Sequence, residues 1–289
     1  MRENPEPRVE SYYDRHWPKF VMWWQGNEAH AIHIGLYEKG VRNYLHSLQY
    51  MNEYVGKLLG LSEHKPMKVL DAGCGVGGPS THLAQQYPSS TFIGITITKS
   101  QIPLAEELAK KREVTKNTQF LIRNFRHTEF PEEFFDGAFA QESINYAQSK
   151  EEFLNEMFRV LKPGACFVII DAFLRDKPLT PLSQKVVDIW RPAVGYPDLI
   201  SIRNLTTLLE NTGFKNIVSE DLTRNIFRSV ARSTCIGTPF FVPALIKRFF
   251  QGKRYKSDMD DYFFMSNNVI RDMMGIAKII KFCSVVAIK

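Results

Sequence analysis

Residues 69–88, VLDAGCGVGGPSTHLAQQYP, constrain the fold more than any other part of the chain. An apolar run gives way at Gly73 to a G-x-G-x-x-G spacing (Gly73, Gly75, Gly78), and Pro79 stands where the first turn of a helix tolerates a residue without an amide hydrogen. A strand that turns on glycines into a helix is the opening βα unit of a parallel sheet. Its bare backbone and helix N-terminus face a nucleotide. Several cofactors share this backbone solution, so the spacing alone does not choose among them.

The chain downstream repeats the unit. TFIGITI (91–97) reads as a second apolar strand and SQIPLAEELAKKRE as its helix. FFDGAFAQES brings a buried strand ending near Gln141, KEEFLNEMFRVLKPG a helix stopped by Pro-Gly, and ACFVIIDAF a strand of β-branched and aromatic residues. SIRNLTTLLENTGF then reads as a helix, KNIVSEDL as a strand and IIKFCSVVAIK as a last strand. Alternating βα units predict a mainly parallel sheet with helices on both faces. The expected organisation is an N-terminal helical cap over 1–65, a core over 66–221, a helical lid inserted over 222–278 and a final core strand over 279–289.

With 289 residues, 44% hydrophobic and 24% charged, the chain has the balance of a soluble globular protein. No apolar run approaches the roughly 20 residues of a membrane span, and the polar first residues do not read as a signal peptide, so a cytoplasmic location is expected. The four cysteines, Cys74, Cys166, Cys235 and Cys283, show no metal-ligand spacing and read as reduced thiols. The charge is local: residues 224–256 carry +8 and no acid, so a chain of net +6 stands at −2 elsewhere. No nucleic-acid motif accompanies that patch, and nucleic acid is not expected as a partner.

A dinucleotide fold needs an acid about 20 residues past the glycines to bind a ribose. Residues 89–98 hold none. Asp71 just before the loop, with Gly73, Gly75 and Gly77, suits a cofactor that lacks a pyrophosphate, with Asp71 either organising the loop or facing an ammonium group.

On these motifs the chain resembles the class I S-adenosylmethionine-dependent methyltransferases, in the branch of γ-tocopherol methyltransferases, sterol C-methyltransferases and cyclopropane synthases. DAGCGVGGPSTHLA is similar to the branch's first motif, GITITKSQ to its second element, EFPEEFFDGAFAQESINYA to the strand with the E-S-x-x-H/Y element, and RVLKPGACFVIIDAF to the R-V-L-K-P-G-G segment. YYDRHW and HAIHIGLY are similar to the N-terminal cap. The resemblance implies a Rossmann-like α/β fold with a seven-stranded, mostly parallel sheet. It implies S-adenosyl-L-methionine as cofactor, with Tyr13 closing over it, Thr96 in place of the ribose-binding acid, and Gln101, Asn124, Phe125 and Gln141 among its contacts. Asn124 stands where relatives often carry aspartate, Ala165 replaces a glycine, and Tyr146 replaces a histidine common in tocopherol-type enzymes.

Candidate catalytic residues are Glu142, Tyr146 and His33. Glu142 closes a strand at the sheet edge where ligands sit, as a general base or as a tie to the cap. Tyr146 is read as a wall of the acceptor pocket, since phenols release their proton only near pH 10. His30 and His33, three apart, share a face if their segment is helical; a substrate hydrogen bond, a base and core packing all compete. Without a carboxylate or cysteine partner at ligand spacing, no metal is expected. Trp17, Trp23, Trp24 and Tyr37 read as cap packing that could also offer π faces to a cation. Arg224, Arg228 and Arg232 fall at i, i+4 and i+8 beside the apolar PFFVPALI. They read as a lid over a greasy substrate, a surface for anionic lipid, or a solvated face.

The expected function is methylation of a lipophilic small molecule of isoprenoid or prenylated aromatic type. Prenyl diphosphate C-methylation, NAD-dependent oxidoreduction and a catalytically silent scaffold are the alternatives. Peripheral contact with anionic membrane and homo-oligomerisation are left open as partners.

Overall fold

The computed structural model describes residues 10–11, 13–14, 16–17, 21, 30–193, 195–251 and 278–289. Trp23 and Trp24 lie outside the described residues, as do Lys253, Arg254 and Lys256. The described residues form α1 (Tyr44–Leu59), β1 (Lys68–Ala72), α2 (Gly78–Gln86), β2 (Thr91–Thr96), α3 (Gln101–Lys111), β3 (Thr118–Ile122) and β4 (Phe135–Gln141). A 3-10 turn (Ile144–Tyr146) follows, then α4 (Lys150–Val160), β5 (Leu161–Leu174), α5 (Pro181–Ala193), α6 (Ile202–Thr212), β6 (Lys215–Asp221), α7 (Phe227–Gln251) and β7 (Ile280–Ile288).

Seven strands form one sheet in the order β3-β2-β1-β4-β5-β7-β6. The pairs from β3 to β5 are parallel, and β7 runs antiparallel to both its neighbours. This is the Rossmann-like sheet expected. The strand order reverses between β1 and β4, and open α/β sheets bind ligands outside the carboxyl ends at such a point.

Side chains of successive strand residues point to opposite faces, and the core divides accordingly. Leu70, Ile93, Ala138 and Phe167 join Phe153 and Met157 of α4 and Leu205 and Leu209 of α6. Val69, Phe92, Phe139 and Val168 join Met51 and Val55 of α1, Leu83 of α2 and Ala105 of α3. Caps set several helix starts: Asn43 Oδ1 accepts from the His46 amide at 2.8 Å and Ser149 Oγ from the Glu152 amide at 3.1 Å.

Several readings change. Sequence patterning passed over β3, an edge strand whose TQFLI buries only Phe120, and α5. The Pro-Gly at 163–164 does not separate a helix from a strand. The strand begins at Leu161 opposite Phe135, bulges through Pro163 and Gly164, and regains register at Cys166 opposite Gly137. The segment of His30 and His33 is irregular, not helical: His30 stands at φ 47°, and the chain just beyond bonds to other elements, with Leu36 N donating to Ser47 O and Tyr37 N to Asn225 O, both at 2.9 Å. The two histidines therefore share no helix face.

The three-arginine stripe also breaks. Asp221 accepts from the Thr223 amide at 2.9 Å in a turn that leaves Arg224 ahead of α7. The other two arginines lie over rings: Arg228 is 4.4 Å from the Tyr37 centroid and Arg232 4.1 Å from that of Tyr44. Among the described residues, no helix is long and apolar enough to cross a membrane.

Candidate active site

One cavity opens at the carboxyl edge of β1, β2 and β4. Every catalytic and cofactor candidate lines it except Gly77, whereas Trp17, Tyr37 and the three arginines at 224, 228 and 232 do not. Gly77 caps α2 from behind, where an added Cβ would stand 2.8 Å from Phe120 and 2.9 Å from Ala105, so its smallness lets α2 pack.

The floor is the glycine loop. Gly73 (φ 101°) and Gly75 (φ 51°) adopt left-handed backbone that β-carbons disfavour. A Cβ at Gly73 would lie 2.5 Å from that of Ser143, so the loop also lies too close to the β4 end to carry a side chain there. Beneath the loop, Asp71 is buried and accepts from Ser80 Oγ at 2.6 Å. Burial pushes its carboxyl up to about 7, against the pull of the Ser80 hydroxyl. Cys74 is pushed well above the usual thiol range by burial and then by Asp71.

Along one side, Thr96 at the end of β2 donates from Oγ1 to Gln101 Oε1 at 2.7 Å, which leaves the Gln101 amide nitrogen as a donor where dinucleotide sites carry an acid. Asn124 follows β3 and accepts from the Arg126 amide at 2.9 Å, and Phe125 meets Phe153 edge-on at 4.9 Å.

Gln141 gives the clearest sign of a polar ligand. It ends β4 at 8% exposure, lines the cavity, and neither its amide oxygen nor its amide nitrogen has a partner among the described residues. A buried amide left so costs on the order of 1–3 kcal/mol, and a ligand edge bearing donor and acceptor would offset that cost.

The roof comes from the N-terminal region. Tyr13 Oη donates to Tyr146 Oη at 2.9 Å, and Tyr146 also meets the Tyr196 ring edge-on at 4.9 Å. Glu142, at φ 51°, accepts the Ile34 amide on Oε1 at 2.6 Å. His33, one residue earlier, is buried with Nδ1 3.1 Å from the Ile34 carbonyl oxygen. Burial lowers its pKa to about 4, outweighing the bonds to Ile34 and Asn52, so the ring is neutral at pH 7.

Fold and cavity together are those of a class I transferase that uses a nucleoside cofactor. Residues 63–213 match the family model described as "Methyltransferase domain", and the chain belongs to the class I S-adenosylmethionine-dependent methyltransferases. It is 33% identical over 159 residues to the sterol 24-C-methyltransferase of Saccharomyces cerevisiae, covering 54% of this chain and 41% of that protein. It is 32% identical over 187 residues to squalene methyltransferase 1 of Botryococcus braunii, covering 63% and 47%. The match thus spans less than half of each relative's length. The fold is shared with geranyl diphosphate C-methyltransferase from Streptomyces coelicolor, with a TM-score of 0.75, 14% identity, and 99% and 98% of the two chains covered.

The cavity fits the family's cofactor. The loop presents glycine backbone without side chains, the Thr96–Gln101 pair leaves an amide donor at the end of β2, and the Gln141 amide has both its polar atoms unpartnered among the described residues. A dinucleotide finds no acid at the end of β2.

Proposed function

We propose that the protein transfers the methyl group of S-adenosylmethionine to an uncharged lipophilic acceptor of sterol or isoprenoid type. The carrying observation is the convergence of the glycine loop, Gln141 and the Tyr13–Tyr146 roof on one cavity at the sheet's switch point. When bound, the cofactor supplies an electrophilic methyl for in-line displacement, so the chain's task is alignment and exclusion of water. Gly73 and Gly75 admit the amino-acid end near Asp71, Thr96 and Gln101 receive the ribose, and Asn124 and Phe125 flank the adenine. Tyr13 closes over the cofactor, Tyr146 forms a wall for the acceptor, and residues 222–278, of which 252–277 lie outside the described residues, act as the lid.

An uncharged acceptor is favoured because the described cations near the site are engaged. Arg126 binds Glu152 at 2.7 Å, and Arg228 and Arg232 cover tyrosine rings, so the geometry offers a diphosphate little. The named substrates of the relatives, sterol and squalene, support the same reading.

Methylation at an alkene carbon leaves a carbocation that must lose a proton. That proton is acidic enough for a weak base. His33, held neutral by burial, is the proposed acceptor, and Glu142 is the tie that holds the segment of His33 and Ile34 over the cavity. Glu142→Gln separates these roles, because an amide oxygen still accepts from the Ile34 amide. Turnover within about fivefold of wild type supports the tie, whereas a loss of roughly 100-fold or more with cofactor affinity intact makes Glu142 the base. The function itself is tested by mass spectrometry of the protein incubated with deuteromethyl cofactor and a side-chain-unsaturated sterol, squalene or geranyl diphosphate. Label on either hydrocarbon-tailed acceptor supports the proposal. Label on geranyl diphosphate alone overturns the uncharged class, and label on none of the three overturns the substrate reading.

A further inference from the structure

Beneath the turn that carries Tyr146 lies a buried polar cluster that touches neither the glycine loop nor the cavity. Lys150 opens α4 and is 6% exposed. A cation is poorly placed at a helix N-terminus, where the dipole is positive, and burial, with a smaller push from Arg191, draws its ammonium down to about 8 against the pull of Asp198 and Asp171. Its Nζ nevertheless donates to three backbone carbonyls: Ala147 at 2.7 Å, Asn145 at 3.3 Å and Asp198 at 3.5 Å. Two of these belong to the Tyr146 turn or the residue that ends it. The third follows Tyr196, whose ring meets that of Tyr146.

The other side of the turn is tied through its side chain. Asp171, 1% exposed near the end of β5, accepts from Asn145 Nδ2 and from the Ala172 amide, each at 2.7 Å. The same Nδ2 donates to the Ala172 carbonyl at 2.8 Å. Ile144 and Asn145 are buried, and Tyr146 alone of the three turn residues reaches the cavity.

Burying an ammonium and a carboxylate is costly, and an apolar set of the same volume is often as stable or more so. Such a cluster is best explained by the geometry it imposes, and here that geometry is a single orientation of one turn. We propose that Lys150, Asp171 and Asn145 are positioning residues that fix the Tyr146 ring, and with it the Tyr13–Tyr146 roof, at the acceptor end of the cavity. The proposal rests on the functional reading only for what Tyr146 meets; the fixing of the ring is a property of the free protein.

The test places 3-fluorotyrosine at position 146 of the full chain and, as a control, at position 54, and records 19F spectra without ligand. Wild type is expected to give one narrow line at 146. Lys150→Met should split that line or broaden it at least threefold and leave the line at 54 unchanged, and Lys150→Arg should restore part of the narrowness. A line at 146 unchanged in Lys150→Met, with only the melting temperature lowered, overturns the proposal, because stability alone is then what the cluster provides. If Lys150→Met does not fold, Asp171→Asn, which keeps the volume, is read by the same criterion. Calorimetry with S-adenosylhomocysteine on wild type separates the two claims: absence of binding overturns the cofactor reading and leaves the 19F result standing.

Discussion

Asp71 sets a measurable relation between pH, stability and the glycine loop. Its carboxyl has a pKa of about 7 in the folded chain against 3.8 for an exposed aspartate. The unfolded chain therefore releases this proton first, and between those values it binds fewer protons than the folded chain. Stability from this group is fully present below pH 3.8 and is lost as pH rises, with nothing further to lose above about 7. Each pH unit costs about 1.4 kcal/mol, so from pH 5 to pH 8 the wild type should lose about 3 kcal/mol through this residue alone. Asp71→Asn keeps an oxygen to accept from Ser80 Oγ and has no proton to lose. Urea unfolding of both proteins at pH 5 and pH 8 gives the double difference, in which the other buried groups, Asp171 and His33 among them, cancel. The variant should gain about 3 kcal/mol on the wild type across that interval. Parallel pH dependences would refute the argument. A cationic ligand group beside Asp71 should also expel its proton, so calorimetry with S-adenosylhomocysteine at pH 6.5 in two buffers of different ionisation enthalpy should detect proton release in the wild type and none in the variant.

Gly75→Val puts a β-branched residue at φ 51°, with its Cβ 3.3 Å from Ile32 Cδ1, and fills the loop side of the cavity. Affinity for S-adenosylhomocysteine should fall by at least about 100-fold by calorimetry, and normal binding would remove the loop from the cofactor site. Burial, and then Arg112, lower the His82 pKa to about 4, so stability from its neutral form is lost as pH falls from 6.5 toward 4. His82→Gln should therefore flatten the acid limb of unfolding followed by circular dichroism, and an unchanged limb would show that His82 does not contribute to it. The double variant Arg228→Gln, Arg232→Gln should lower stability by about 1–3 kcal/mol through two lost ring contacts while leaving co-sedimentation with anionic vesicles unchanged. Lost vesicle binding would return these arginines to a lipid-facing surface.

The core of the fold was legible because its strands are nearly continuous apolar runs between punctuating glycines and helices. VLDA, TFIGIT and ACFVII could hardly be anything but strands buried on both faces. β3 was not legible by the same rule: an edge strand buries little, and TQFLI carries no run to see. The candidate residues came from the glycine spacing, from the strand end at Glu142 and from the family resemblance, and the sheet order brings them to one cavity. What the sequence could not convey is engagement between distant segments. Arg228 and Arg232 look like a free basic stripe until Tyr37 and Tyr44 are placed beneath them, about 190 residues away in sequence. Lys150 and Asp171 carried no motif at all, because their meaning lies in which carbonyls and amides they reach.

Those distant contacts connect the roof to the start of α7. Residues 34–37 are gripped from two sides: Glu142 takes the Ile34 amide from the sheet, while Ser229 Oγ donates to the Gly35 carbonyl at 2.8 Å and Asn225 takes the Tyr37 amide at 2.9 Å. Arg228 closes the same contact over Tyr37. The irregular segment that brings Ile32 and His33 to the cavity is thereby bonded to the end of β4 and to α7. Displacing one against the other must break charge-assisted or buried hydrogen bonds, each worth roughly 0.5–3 kcal/mol. A ligand that shifts His33 therefore acts on α7 through bonds rather than through solvent, and a variant at Ser229 should alter cavity closure although Ser229 does not line the cavity. Hydrogen exchange of the amides at 34–37 is the direct measure: Ser229→Ala, which removes the hydroxyl that holds the Gly35 carbonyl, should speed exchange there without changing it in β1. Equal protection in variant and wild type would break the connection at its first link.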